Sequence, residues 1–273
     1  MAQTSASSVA VCQFAPTDSR SANRARIAEL TADAVARGAR LVVFPEYSSY
    51  FVDPMDATLA ANAETADAEF VTSLIALAQE HSIAIVAGFV EQAQPAADGS
   101  ARVHNAVVAV DADGLRAIYR KQHLYDAFGQ TESDWIEAGE TGTAATFEVA
   151  GIRFGLMTCY DLRFPEVART LADAGADVIV VPAEWVRGAL KEHHWTTLLA
   201  ARAIENTAYV VAADHPTPIG VGHSQIVDPQ GVVLAGVGTG EGIAVAHIDQ
   251  ESIARVRKVN PVLRLRRYSV APR

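Results

Sequence analysis

The chain has 273 residues, 50% of them hydrophobic and 20% charged, with 22 lysines and arginines against 32 acids for a net charge of −10. That balance excludes a disordered chain, and an acidic surface repels phosphate backbones, so nucleic acid is not the expected partner. Two cysteines form no disulfide framework, no apolar run reaches the ~18 residues of a membrane span, and no leader-like segment precedes Arg20; a soluble, cytoplasmic protein is expected.

Short β-branched runs ending at Pro, Gly or Asp mark the strands. In chain order they fall at 9–14, 41–44, 83–86, 106–110, 154–157, 178–181, 209–212, 224–227 and 243–246. Several are apolar throughout, as in strands covered on both faces. Ala-rich helical stretches lie between them at 23–37, 66–81, 165–174 and 191–206, the first with Asn23 as its N-cap. This alternation predicts an α/β protein.

Two echoes suggest an internal repeat. Leu41 to Glu46 reads Leu-Val-Val-Phe-Pro-Glu, and Val178 to Glu184 reads Val-Ile-Val-Val-Pro-Ala-Glu: a buried strand, a proline, then a glutamate. The stretches 109–114 and 226–231 both read as strand-turn-strand hairpins closed by Gly. Each half then supplies one mixed sheet with helices outside it, giving a four-layer α-β-β-α sandwich. No linker or charge block divides the halves, so residues 1–273 are read as one domain. Its end, 250–273, carries Arg255, Arg257, Lys258, Arg264, Arg266 and Arg267 among Val and Leu, and reads as a solvated tail or a subunit contact.

Some conspicuous features point away from chemistry. Gly236 to Gly242 is glycine-rich but lies between strands, without the following helix of a phosphate loop, and reads as a flexible hairpin turn. His193 and His194 are adjacent, so on a helix they diverge by about 100° and do not share a metal ion. No Gly-x-Ser-x-Gly elbow is present. Cys12, inside an apolar strand, reads as a small buried hydrophobe.

Cys159 differs, because it ends the strand at 154–157 and precedes a helix beginning near Pro165. A nucleophile at such a turn is exposed at the sheet edge, with backbone N–H groups facing a developing oxyanion. Glu46 follows a buried strand, where a carboxylate is costly without a partner, and Lys121 follows another in Tyr-Arg-Lys-Gln-His-Leu. A carboxylate, a cation and a thiol at three strand ends form a candidate catalytic cluster in which Lys121 is expected to raise the thiolate fraction of Cys159.

Val-Phe-Pro-Glu46, the segment around Lys121 and Cys159-Tyr-Asp-Leu-Arg-Phe-Pro-Glu166 resemble, in order and spacing, the three signature blocks of the nitrilase superfamily of carbon–nitrogen hydrolases. Ala201 to Asn206, Gly222-His-Ser224 and the Pro261 to Arg267 ending extend the resemblance over nearly the whole chain, and the cysteine block is most similar to the omega-amidase and deaminated-glutathione amidase branch. The resemblance implies Glu46 as general base, Lys121 with a backbone N–H near Tyr160 as oxyanion holder, and Cys159 as the nucleophile of a thioester acyl-enzyme. It implies a second glutamate, for which Glu132 stands at the matching place and Glu137 and Glu140 fit less well. It implies no metal or cofactor, and a dimer or larger homo-oligomer.

The substrate stays open at this level. Arg163 either clamps a substrate carboxylate or pairs with Glu166 or Asp161; Trp185, Tyr50 and Phe128 either line the entrance or pack. A carboxylate-bearing linear amide leads, followed by N-carbamoyl amino acids and nitriles. A non-catalytic binding protein that kept the fold is the reading from another class.

Overall fold

In the computed structural model, which describes residues 6–94 and 102–273, the apolar runs become the strands of two sheets. The first half of the chain forms β1 (Ala6–Gln13), α1 (Arg20–Ala36), β2 (Leu41–Val43), α2 (Thr58–Asn62), α3 (Glu69–His81), β3 (Ala84–Gln92), β4 (Val103–Asp111) and β5 (Gly114–Arg120). The second forms β6 (Thr146–Val149), β7 (Ile152–Leu156), α4 (Pro165–Asp173), β8 (Val178–Pro182), α5 (Lys191–Asn206), β9 (Tyr209–Ala213), β10 (Gln225–Val227) and β11 (Val233–Gly236). β12 (Gly242–Asp249), α6 (Gln250–Val259) and α7 (Val262–Leu265) follow.

Among the described residues each sheet has six strands, ordered β12-β1-β2-β3-β4-β5 and β6-β7-β8-β9-β10-β11. Both run antiparallel, parallel, parallel, antiparallel, antiparallel in that direction. The expected repeat and four-layer sandwich are thus the architecture, with β1 matched to β7, β2 to β8, and the β4–β5 hairpin to β10–β11. One strand breaks the division by halves: β12 returns from the C-terminal half to pair with β1.

Period-two alternation assigns each strand's faces. Val9, Val11, Leu41 and Val43 point toward the second sheet, where they meet the core built on Val178, Val180 and Val211. Ala10, Cys12, Val42 and Phe44 point outward, onto Ile27 and Leu30 of α1 and Phe70 and Leu74 of α3. α4 and α5 cover the second sheet through Leu171, Trp195 and Leu199. Apolar side chains on both faces are what made these strands continuous apolar runs in the sequence.

Three expectations are corrected. Ser19, not Asn23, caps α1 by accepting from the Ala22 N–H. Asn23 lies inside the first turn and is buried, accepting from the Thr17 N–H at 2.8 Å and donating to the Ser49 carbonyl at 3.1 Å. The glycine run at 236–242 closes no hairpin, because β11 and β12 belong to different sheets; it carries the chain across the sandwich, held by Gln13 Nε2 donating to the Gly238 and Gly240 carbonyls. The basic C-terminal segment is not a free tail up to Arg266. Ile253 is buried, Arg257 pairs with Asp177 at 2.8 Å, and Arg266 pairs with Asp173 at the end of α4. None of the described helices is long and apolar enough to cross a membrane.

Candidate active site

The chain turns sharply where β2 and β7 end. Tyr47 follows Glu46 with a φ of 56°, and Cys159 has a φ of 44°, both in the left-handed region that side chains other than glycine rarely adopt. The Glu46 turn lies against β3, where a Cβ on Gly88 would sit 2.6 Å from the Glu46 Cα, so only glycine permits the approach. Cys159 opens a 3-10 turn, Cys159–Arg163, that is capped reciprocally by the Thr158 and Asp161 side chains. Lys121 leaves β5 with its N–H donating to the Asn105 carbonyl on β4 at 2.9 Å, and Glu132 opens the short turn Glu132–Asp134.

These four residues converge. Lys121 Nζ lies 2.9 Å from Glu46 Oε1 and 2.9 Å from Glu132 Oε1. Asn105 Nδ2 spans the same two carboxylates, donating to Glu46 at 2.6 Å and Glu132 at 3.1 Å. Glu132 also accepts from the Tyr47 hydroxyl at 2.8 Å and the Tyr125 N–H at 2.6 Å. The backbone of Glu184, which follows β8, joins the thiol to this cluster: its N–H donates to Glu46 Oε2 at 2.6 Å, and its carbonyl accepts from Cys159 Sγ at 3.3 Å. The Glu46 carbonyl in turn accepts from His215 Nε2 at 2.8 Å.

The charges do not cancel. Two carboxylates and one ammonium leave the cluster negative, and all three groups are buried. Burial works against the Lys121 ammonium, but Glu132 and Glu46 outweigh it and hold its pKa well above the usual lysine value. Burial pushes the Glu46 carboxyl up, with Lys121 opposing. Burial also raises the Cys159 thiol well above its ordinary value; Glu46 adds to that, and Lys121 only partly offsets it. Lys121 acts on Cys159 in the expected direction, favouring the thiolate, but its charge is shared with two carboxylates, and burial and Glu46 outweigh it, so the thiol needs a base to take its proton. Cys12 is fully buried, and burial raises its thiol pKa as well.

A cavity of about 450 Å³ opens over Glu46, Lys121, Glu132, Cys159 and Glu184, with Asp53 and Arg187 also in its wall. A narrower recess at Cys159 is lined by Tyr160, Arg163 and Trp185. Arg163 pairs with neither Asp161 nor Glu166. Asp161 accepts from the Tyr119 hydroxyl at 2.7 Å and the His123 N–H at 3.0 Å instead, and Arg163 stacks over Trp185, 4.7 Å from the ring centroid. Phe128 is 67% exposed beside the same guanidinium, 5.6 Å away. Tyr50 lines neither opening; it packs with Tyr47, Phe51 and Leu59 and donates to Thr58 Oγ1 at 2.7 Å. Glu137 and Glu140 are exposed in a separate hollow.

The sequence reading missed Asn105, Tyr47, His215 and Lys191. Asn105 had a signal, a lone amide within an apolar strand; the other three had none. Glu184 was visible as the echo of Glu46 and was given no role.

Residues 8–258 match the carbon-nitrogen hydrolase family. Over 262 residues the chain is 40% identical to the deaminated glutathione amidase of Escherichia coli O157:H7, an alignment that covers 96% of this chain and 97% of that one. The crystal structure of the C. elegans NitFhit protein is similar with a TM-score of 0.86 at 30% identity, over 97% of this chain and 67% of that one. Saccharomyces cerevisiae Nit3, a member of branch 10 of the nitrilase superfamily, is similar with a TM-score of 0.83 at 27% identity, over 97% of each chain.

Proposed function

The chain belongs to the carbon-nitrogen hydrolase family of the nitrilase superfamily and is an amidase-type hydrolase, and from that premise we propose that it cleaves a small linear, carboxylate-bearing amide through a thioester on Cys159. The observation that carries this reading is the buried Glu46–Lys121–Glu132 cluster joined to the Cys159 thiol through the backbone of one residue, Glu184.

In this reading Glu46 takes the thiol proton as sulfur bonds to the amide carbon. The charge that develops on the amide oxygen falls to the Lys121 ammonium and the Tyr160 N–H, which, as one of the first of its turn, has no acceptor inside that turn. Glu46 passes the proton to the departing nitrogen, which leaves as ammonia, and the carbon–sulfur bond remains as a thioester. Glu46 then takes a proton from water, the water oxygen adds to the thioester, and sulfur leaves with the proton to regenerate the thiol. A carboxyl raised by burial suits both proton transfers, because a base is most effective when its pKa approaches the working pH. Glu132 holds Lys121 in place and takes no proton.

The carboxylate preference rests on Arg163, which lies at Cys159 with no acidic partner among the described residues. The curated relative's name, an amidase of deaminated glutathione, accords with an amide over a nitrile or a carbamoyl compound. Ammonia release across amides, N-carbamoyl amino acids and nitriles tests the reading, with Cys159→Ser as control. Amide turnover lost in Cys159→Ser is the expected result; nitrile turnover alone, or activity that survives the substitution, removes it. An assembly of two or more copies belongs to the same proposal. Exposed Val259, Leu265 and Tyr268 offer apolar area for it, and light scattering of the full chain checks it.

A further inference from the structure

Lys191, the first residue of α5, carries no motif and lies outside the catalytic cluster, yet only 5% of it is exposed. Its side chain lines the narrow recess at Cys159 together with Tyr125 and Arg163. The local backbone is shaped to put it there. Leu190 before it has a φ of 60°, and a Cβ on Gly188 would come 3.3 Å from the Lys191 Cγ, so glycine leaves the stem its path. Trp185 Nε1 donates to the Lys191 carbonyl at 3.0 Å and fixes the start of the helix. The ammonium donates to the Tyr125 hydroxyl at 2.5 Å and lies 4.0 Å from the Phe128 ring centroid.

Arg163 shares this recess, with its Nε buried and without an acceptor. Among the described residues neither cation forms an ion pair; their polar side-chain contacts are the Tyr125 hydroxyl and a 3.4 Å approach of Arg163 to His194 Nδ1. Burial lowers the Lys191 pKa, and Arg163 lowers it further. Glu184 is the carboxyl that lines the same recess, but burial and Glu46 push it well above the usual carboxylate range, so it does not neutralise the pair. Buried charges in folded proteins are paired. Two cations against aromatic walls with no counter-charge are completed by an anion that comes with a ligand.

We infer that Lys191 is a specificity-determining residue, which holds, together with Arg163, the carboxylate of a linear substrate whose amide carbon lies at Cys159. The inference rests on the amidase reading above and adds to it a residue that no motif marks. The planar Arg163 fork matches both carboxylate oxygens, and the compact Lys191 ammonium meets one of them. Tyr125 accepts from Lys191 and stays protonated, its pKa pushed up to about 12 by burial, so its own proton is available to the same anion.

The test compares kcat/KM for succinamate and for butyramide, which lacks the carboxylate, in the wild type, Lys191→Met, Lys191→Arg and Arg163→Met. Calorimetric titration with succinate measures anion binding without turnover. Lys191→Met is expected to lower the succinamate-to-butyramide ratio and the succinate affinity roughly ten- to a hundredfold, the worth of a charge-assisted hydrogen bond, and Lys191→Arg to restore most of both. The titratable groups facing Lys191 are Arg163, Tyr125, Cys159, Glu184 and His194. As pH rises toward the lowered Lys191 pKa, the wild-type ratio falls, while Lys191→Arg keeps its ratio because arginine stays charged. A ratio and a succinate affinity that Lys191→Met leaves within twofold overturn the inference. If Arg163→Met erases the preference and Lys191→Met does not, the inference fails and the carboxylate reading stands. Succinate binding that depends on Lys191 in a protein that releases no ammonia from either amide would instead retire the amidase reading and keep the anion site.

Discussion

Glu46 and Glu184 stand at matched places in the two halves, each after a buried strand and a proline, and their surroundings set them apart. The Glu46 carboxylate accepts from Lys121, Asn105 and the Glu184 N–H. The Glu184 carboxyl has no hydrogen-bond partner among the described residues, and burial and Glu46 push its pKa well above the usual range. What Glu184 brings to the site is its backbone, whose N–H touches Glu46 and whose carbonyl touches the thiol. The repeat reproduces a position; the partners that reach that position decide whether a carboxylate there is a charged base or a neutral wall.

The largest effect expected from breaking this asymmetry is in Glu46→Gln. The variant keeps the shape and the bond to the Glu184 N–H but removes the base, and ammonia release falls by about 10² to 10⁴. Turnover near that of the wild type would make the two glutamates equivalent after all. Lys121→Met removes the cation that distinguishes the first-half carboxylate. It costs about 10² to 10³ in rate as a lost oxyanion donor. It also leaves Glu46 and Glu132 buried without a counter-charge, which destabilises the fold by about 3–5 kcal/mol, read as a shifted urea midpoint. A rate loss with an unchanged midpoint would mean that the carboxylates are neutral at rest.

His215 sharpens the comparison through pH. Burial lowers its pKa to about 4, and its Nε2 supports the Glu46 turn. The folded protein keeps this ring neutral while the unfolded chain takes up a proton below about pH 6.5. Stability present at neutral pH is therefore lost as pH falls from about 6.5 to 4, by about 3 kcal/mol in all. Urea unfolding at both ends of that window should show a shallower acid loss in His215→Gln; an identical loss would remove His215 from the account. The smallest effect is expected from Glu184→Gln, which keeps the backbone contacts and the neutral side chain. Its turnover should stay within an order of magnitude of wild type, and a collapse as deep as that of Glu46→Gln would give the second-half carboxyl a charge-bearing role.

Much of the fold was legible because both faces of the central strands are covered, which turns β2, β8 and β9 into uninterrupted apolar runs. The edge strands β6 and β11, half exposed, lack that pattern; β6 escaped the reading and β11 entered only as an arm of a hairpin. The glycine run at 236–242 misled because a crossing between sheets and a hairpin turn use the same residues. Asn23 misled because a buried Asn serving a neighbouring loop resembles a cap. Glu46, Lys121 and Cys159 were conspicuous as polar residues at strand ends, and Glu132 came from the family pattern alone. Lys191 sits in an unremarkable helix start, where only the turn at Leu190 and the space at Gly188 direct it toward the thiol.

The sequence by itself determined which residues end the strands, because burial on both faces and the prolines and glycines after them are local properties of the chain. Only the tertiary structure decided how the charges there balance. Electrostatic energy depends on distance and on removal from water; residues 46, 105, 121 and 132 gather around the first sheet, and 159 and 184 reach them only when the second sheet closes on it. The finished fold leaves Lys121 shared between two carboxylates, Cys159 with its pKa raised by burial, and the Arg163–Lys191 pair without an anion of its own among the described residues.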